Sequence, residues 1–583
     1  MDVKTNQFTG TQEIVYTNNS PDTLNKVFYH LYFNAFQPGS MMDVHNRLIE
    51  DPSQKIGDKI LGYDETEQGF QQINSLEQDG EPLDYEVVGT ILEVTLATPI
   101  LPGGQTTFTM DFKAQVPLQT RRSGRDNAEG IEYSMSQWYP KLCEYDYEGW
   151  HANPYIAREF YGVWGDFDVK ITIDSSYVIG GSGYLQNPEE IGHGYLPEGE
   201  QSNRPDSEKL TWHFVAPNVH DFMWGADPDY VHTTAQVPDG PLLHFFYQTD
   251  TLVENWQKLP GLTVRAFQFM NKTFGKYPYD QFSVVQGGDG GMEYPMSTLI
   301  TGHRSLGSLL GVTIHEAFHS WYQGVLGSNE SLYAWMDEGF TSYATRRTMR
   351  YLETGNDIPN DTDIYDGTYR GYFALAESGK EEPLTTHSDH FVTNRAYGTG
   401  SYGKGAIFLH QLSYIVGRET FDRGMRRYFN TWKFRHPNAT DFKRVMEKES
   451  GLELDWYLEY WINTTHTLDY GVGEVSAEGN NTEVTIEKIG YMPMPLDIMV
   501  TYSDGSQEMY YTPLMMMRGE KPNEYDGIER TVLPDFGWVY PDYTFTIDEP
   551  MDEIETIAID PSGRMADIDR SNNIFSEKNM NNR

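Results

Sequence analysis

The sequence predicts a multidomain α+β chain. Three observations carry that prediction: strand-like alternation up to about residue 235, helical periodicity from about 242 to 465, and renewed alternation after about 470. A length of 583 residues suits about three or four domains. The changes of period predict an N-terminal β domain at 1–238, an α-rich domain at 239–468 and a C-terminal β-sandwich at 469–570, with a polar, flexible tail at 571–583.

In the first part, Tyr85 to Leu96 mixes β-branched and apolar residues, and Leu101-Pro102-Gly103-Gly104 turns it into Thr106 to Phe112. Asp166 to Asp174 alternates strictly, the mark of a half-buried strand. Pro238-Asp239-Gly240-Pro241 punctuates the end of this part. Helices are then expected over Leu262 to Thr273, Leu309 to Leu326, Leu332 to Leu352, Gly405 to Val416, Arg418 to Trp432 and Asp441 to Ser450. Glu483 to Glu487 and Leu496 to Tyr502 alternate again, the second closed by Ser503-Asp504-Gly505.

At 38% hydrophobic and 14% aromatic the chain can bury large cores. Its net charge of −43 repels nucleic acid and anionic lipid surfaces, which excludes both as main partners. The acids are scattered, with Glu381-Glu382 typical of their density, and are expected on a solvated surface. Cys143 is the single cysteine, so neither an intrachain disulfide nor a cysteine-rich structural zinc site can form. No stretch approaches the roughly 20 apolar residues needed to span a bilayer. The first residues lack the basic and apolar regions of a signal peptide and read like a strand interior. That is compatible with an exported, periplasmic or extracellular, parent protein.

The chemistry concentrates at His315-Glu316-Ala317-Phe318-His319. Histidines four apart share one helix face and can hold one ion, with Glu316 beside it, able to reach a water. Three protein ligands and an open fourth position make a catalytic zinc, and Glu338, separated from His319 by eighteen residues and placed on the next helix, is the candidate third. His220, His303, His387, His390 and His410 have no convincing partners and are expected to be structural or exposed.

With Glu338 in Trp335-Met336-Asp337-Glu338-Gly339-Phe340, the chain resembles the aminopeptidase N-like family of gluzincin metallopeptidases. Two more stretches carry the resemblance: Gly290-Gly291-Met292-Glu293-Tyr294, similar to the family's Gly-x-Met-Glu-Asn motif, and Tyr402-Gly403-Lys404-Gly405-Ala406, similar to its Tyr-x-Lys-Gly-Ala element. Asp221-Phe222-Met223-Trp224 adds a weaker match. The resemblance implies a saddle-like N-terminal domain, a thermolysin-like catalytic domain and one Zn2+ per chain held by His315, His319 and Glu338. It further implies Glu316 as general base, Tyr402 as oxyanion donor, and Glu293 as the anchor of a substrate's free α-amine, with Gly290, Gly291 and Met292 lining the peptide. The expected activity is therefore removal of N-terminal residues from peptides. The rivals are a zinc endopeptidase, an epoxide hydrolase and a non-catalytic scaffold on the same architecture. Two departures stand out: Tyr294 where the family has Asn, and Tyr139 where it places a second amine anchor, with Gln137 and Glu144 as the alternatives for that role. The roughly 110 residues after 470 read as strands rather than the family's long helical domain, which implies an open cleft.

Overall fold

The computed structural model describes residues 1–196, 199–249, 252–357 and 362–576. The fold is α+β, with β sheets before and after a helical region. The first two sheets run in the orders Gln7–Thr17, Gln105–Gln115, Phe70–Gln78, Glu81–Pro82 and Lys141–Leu142, Leu24–His30, Ile91–Ile100, Asp84–Val88. Along Gln105–Gln115 the side chains of Thr106, Phe108, Met110, Phe112 and Ala114 are buried in alternation, and Tyr29 of the second sheet meets Phe108 edge-on at 6.4 Å. Two further sheets are built on the antiparallel pair Gly165–Asp174/Lys209–Val219 and on Trp224–Asp227. The stretch Tyr85 to Leu96 is two strands rather than one, since the chain reverses at Gly89–Thr90 and Asp84–Val88 is exposed along its length.

A five-stranded mixed sheet links this half to the helices, in the order Val231–Gln236, Leu242–Tyr247, Gln281–Gln286, Ser297–Ile300, Gly291–Tyr294. Pro238–Pro241 turns a hairpin inside this sheet, so Val231–Gln236 pairs with the strand beyond the expected boundary. Gln281–Gln286 is parallel to both its neighbours and buried throughout, as parallel strands covered on both faces must be. The helix joining two of these strands spans Val253–Thr273 and runs through Pro260, where the sequence suggested a start at Leu262. Packing overrides propensity there: Trp256, Leu259, Ala266, Phe267 and Met270 make one buried stripe, with Trp256 stacked on Tyr247 at 5.0 Å.

The histidine helix is Leu306–Tyr322, N-capped by Ser305, and ends four residues before Leu326 because Gln323 leaves helical geometry (φ −155°). The helix expected over Leu332 to Leu352 is broken. Glu330–Ala334 kinks at Tyr333, Trp335–Gly339 is a π-helical turn, and Phe340–Thr354 follows as regular helix. Arg418–Trp432 lies where the periodicity put it. The C-terminal sheets have three and five strands, and the last strand, Ile574–Ser576, pairs with Ile554–Ile559. The reading of 571–583 as a loose tail is therefore corrected up to 576, where backbone pairing holds the chain; residues 577–583 lie outside the described residues.

Candidate active site

His315 and His319 project from one face of the histidine helix toward Glu338. His315 Nε2 lies 3.1 Å and His319 Nε2 3.3 Å from Glu338 Oε2, and the two nitrogens are 3.3 Å apart. Tetrahedral ligands at zinc bond lengths would be separated by about 3.3 Å, so the three atoms already stand at the spacing of a zinc site. His319 Nδ1 faces Asp337 Oδ1 at 2.5 Å and Thr341 Oγ1 at 3.2 Å. A proton on Nδ1 leaves the Nε2 lone pair for a metal and fixes the ring. Lone pairs converging from two imidazoles and a carboxylate repel unless a cation lies among them, and the donor set fits zinc.

Glu316 is buried beside the triad and presses against Gly291, where a Cβ would come 2.1 Å from its Oε1. Only glycine permits that approach. Burial, resisted by the two histidines, pushes the Glu316 carboxyl up to about 7. The Tyr402 hydroxyl donates to Glu338 Oε1, and its ring stacks on His315 at 5.8 Å. Tyr402 also sits on a π-helical turn, Thr399–Lys404, facing the one that carries Glu338. The two turns meet where a Cβ on Gly339 would lie 2.7 Å from the backbone of Gly405. Lys404 anchors the second turn from below, with Nζ 2.7 Å from Glu381 and 3.1 Å from the Thr464 carbonyl. Glu381, expected on the solvated surface, is instead the buried partner of that lysine.

Residues 261–461 match the description "Peptidase family M1 domain". The chain carries a peptidase family M1 domain. Among similar proteins, leucine aminopeptidase 2 of Chaetomium globosum is 32% identical over 162 residues, 26% of either chain. Aminopeptidase B of Rattus norvegicus is 29% identical over 43% of this chain and 39% of its own. Leucine aminopeptidase 2 of Aspergillus fumigatus is 25% identical over 59% of this chain and 57% of its own. The chain thus spans well under two thirds of these relatives. The fold is shared with the M1 zinc metallopeptidase from Deinococcus radiodurans, at TM-score 0.53 and 17% identity, covering 78% of this chain and 89% of that one.

A cleft of about 480 Å3 opens onto the M1 domain's triad and is lined by Gly290, Gly291, His315, Glu316, Tyr397 and Tyr402, with Glu159 from the N-terminal half. Gly291–Tyr294 is the edge strand of the mixed sheet, bonded on one side only. Neither Met292 nor Glu293 lines this cleft; both are buried and line a separate interior void with Lys141 and Asp221. Glu293, on the alternate face, lies within 4.8 Å of Glu316 and His319, and also of Glu330 and Asp337. Glu293 Oε1, Glu330 Oε1 and Asp337 Oδ2 are all buried without a hydrogen-bond partner. Burial and then neighbouring carboxylates hold Glu330 well above the usual carboxylate range.

The two departures from the family pattern meet in one network. Tyr294 OH donates to Gln137 Oε1 (2.8 Å), while Gln137 Nε2, Tyr139 OH and Lys141 Nζ all reach Asp221 (3.3, 2.9 and 2.6 Å). Tyr139 therefore serves Asp221, and Gln137 is committed on both ends. Glu144 is taken by His436 at 3.2 Å. Glu159, Glu330 and Arg122 have no motif around them in the sequence, whereas Asp337 lies within Trp335–Phe340 beside Glu338. Among the other histidines, His220 is buried with Nε2 3.1 Å from the Gln323 carbonyl and His410 is buried beside Tyr369. Neither belongs to a ligand group among the described residues.

Proposed function

We propose that the protein is a zinc-dependent aminopeptidase that hydrolyses the N-terminal peptide bond of peptides with a free α-amine. The placement of Glu293 carries this reading: a buried carboxylate with an unpartnered oxygen, next to the base and a ligand histidine. A positive α-ammonium satisfies such a group, and holding it there sets the scissile bond one residue from the chain end. An internal peptide segment offers no such charge, which disfavours the endopeptidase alternative.

His315, His319 and Glu338 would hold one Zn2+. When bound, the ion supplies Lewis acidity that lowers the pKa of water toward neutrality and polarises a carbonyl. Glu316 would accept the proton of the attacking water and return it to the leaving amine. Tyr402, an O–H donor at the edge of the site, would stabilise the charge growing on the carbonyl oxygen. The edge strand that begins at Gly291 would offer its outer side to the peptide backbone once Arg122 yields the Gly291 carbonyl, which it holds at 2.9 Å.

The test is a panel of aminoacyl-arylamides and their N-acetylated counterparts, with wild type and Glu293→Ala, with and without a zinc chelator. Hydrolysis of the free-amine series alone, abolished by chelation and lowered about 10- to 100-fold in Glu293→Ala, is expected. Activity surviving chelation would sink the zinc chemistry; full activity in the alanine variant would sink the exopeptidase assignment.

A further inference from the structure

We propose that Glu159 is the second carboxylate receiving the substrate's α-ammonium, opposite Glu293; the inference rests on the aminopeptidase reading above. Position 139 cannot serve, because its tyrosine is bonded to Asp221, and neither can Gln137 or Glu144, each engaged elsewhere. Glu159 has what they lack. Its side chain is only 2% exposed yet lines the same cleft as Gly291, Glu316 and Tyr402. Oε1 accepts from the Tyr397 hydroxyl, while Oε2 has no hydrogen-bond partner. The Arg122 guanidinium, ion-paired with it, approaches no nearer than 3.7 Å and spends NH1 on the Gly291 carbonyl at 2.9 Å.

A desolvated carboxylate oxygen left without a donor is costly unless something arrives to fill the gap. A primary ammonium brings three N–H groups and the compensating charge. Arg122, Glu338 and Glu293 are the charged groups that act most on Glu159, one cation against two further carboxylates. The backbone around Glu159 is held before any substrate binds. Arg121 donates to the Ala157 carbonyl (2.9 Å), Arg158 to Asn394 Oδ1 (2.7 Å), and the Phe160 N–H to Glu330 Oε2 (3.3 Å). Such a scaffold costs little to order on binding. The N-terminal half would thereby supply the second amine anchor from residue 159 rather than from 139.

Calorimetric binding of L-leucinamide and of 4-methylpentanamide, which differs only in lacking the α-amine, tests this on the zinc-replete protein. Wild type should prefer leucinamide. Glu159→Gln should reduce that preference about 10- to 100-fold with zinc content and affinity for the desamino amide unchanged, and Glu159→Asp should retain part of it. A Glu159→Gln protein that keeps the wild-type ratio, or that loses both amides equally, overturns the assignment and leaves Glu159 a structural partner of Arg122. Should Glu159→Gln fail to fold, an unaltered ratio in Glu159→Asp overturns it equally. A wild type that neither prefers leucinamide nor hydrolyses free-amine arylamides fails the aminopeptidase reading itself, a distinguishable result.

Discussion

Two buried ionic clusters in this molecule follow opposite rules. Around His315, His319 and Glu338, the carboxylates of Glu159, Glu293, Glu330 and Asp337 each leave a buried oxygen without a hydrogen-bond partner. At the junction of the helical region with the C-terminal sheets, Lys521 lies 2.5 Å from Asp497, 3.3 Å from Glu524 and 3.1 Å from the Tyr414 carbonyl, over whose ring it sits at 3.9 Å. Arg564 reaches Glu524 at 2.6 Å and the Ser413 carbonyl at 3.2 Å. None of Lys521, Asp497, Glu524 and Arg564 is left with an orphaned buried atom. Charge is buried in both places, but one cluster is closed on itself and the other leaves carboxylate oxygens unpaired. What separates the two clusters is the completeness of their pairing, since both bury charge.

The strongest way to break this comparison is Glu316→Gln. It should lower kcat by about 10²- to 10⁴-fold while metal analysis finds zinc still bound and the melting temperature holds. A comparable loss of folding stability would mean the open cluster is structural after all. In the closed cluster the effect should fall on stability instead: Lys521→Met strands Asp497 and should cost about 3–5 kcal/mol in denaturant titration, with activity per folded molecule unchanged. Asp337→Asn weakens the orientation of His319 and should lower zinc affinity about 10- to 100-fold, read by competition with a chromogenic chelator.

The smallest effect concerns pH. Burial opposes ionisation of Glu524, but Arg564 and Lys521 overcome it and hold its carboxyl below the ordinary 4.5. A folded-state pKa below the unfolded value contributes stability that is present above about 4.5 and lost as pH falls through the folded value. Glu524→Gln should therefore be less stable than wild type at pH 7, and the gap should shrink as the pH drops below 4.5. A gap that widens on acidification would contradict the closed-cluster picture.

The candidate metal-binding trio was legible in the sequence because its logic is local. His315 and His319 stand one turn apart, and Glu338 follows at a helix-hairpin distance within a recognisable stretch. Regular elements such as Arg418–Trp432 and Leu496–Tyr502 announced their own bounds through periodicity. What stayed hidden depends on contacts across the chain. Glu159 sits in Ala157-Arg158-Glu159-Phe160-Tyr161, which has no motif, and acquires meaning only when the N-terminal half lies against Tyr397 and Gly291. Tyr139 marked the position where the pattern fails, but nothing local could say that its hydroxyl is spent on Asp221. The break inside Leu332 to Leu352 was equally silent, since no proline interrupts the stretch and a single glycine, Gly339, is tolerated within a helix.

The paired π-helical turns have a consequence for how the site tolerates change. Each contains one residue more than a regular helical turn, and each presents its functional side chain, Glu338 or Tyr402, from that stretch. Deleting one residue from either turn would let the helix close into ordinary α geometry at little local cost. The remaining side chains before the deletion would then swing by about 100° relative to those after it, carrying the carboxylate or the hydroxyl off the metal axis. Length, as much as composition, is thus part of the catalytic code here. A substitution at Glu338 would remove one candidate ligand, whereas deleting a neighbour of Glu338 within 335–339 would leave every candidate ligand in the sequence and still take their atoms apart.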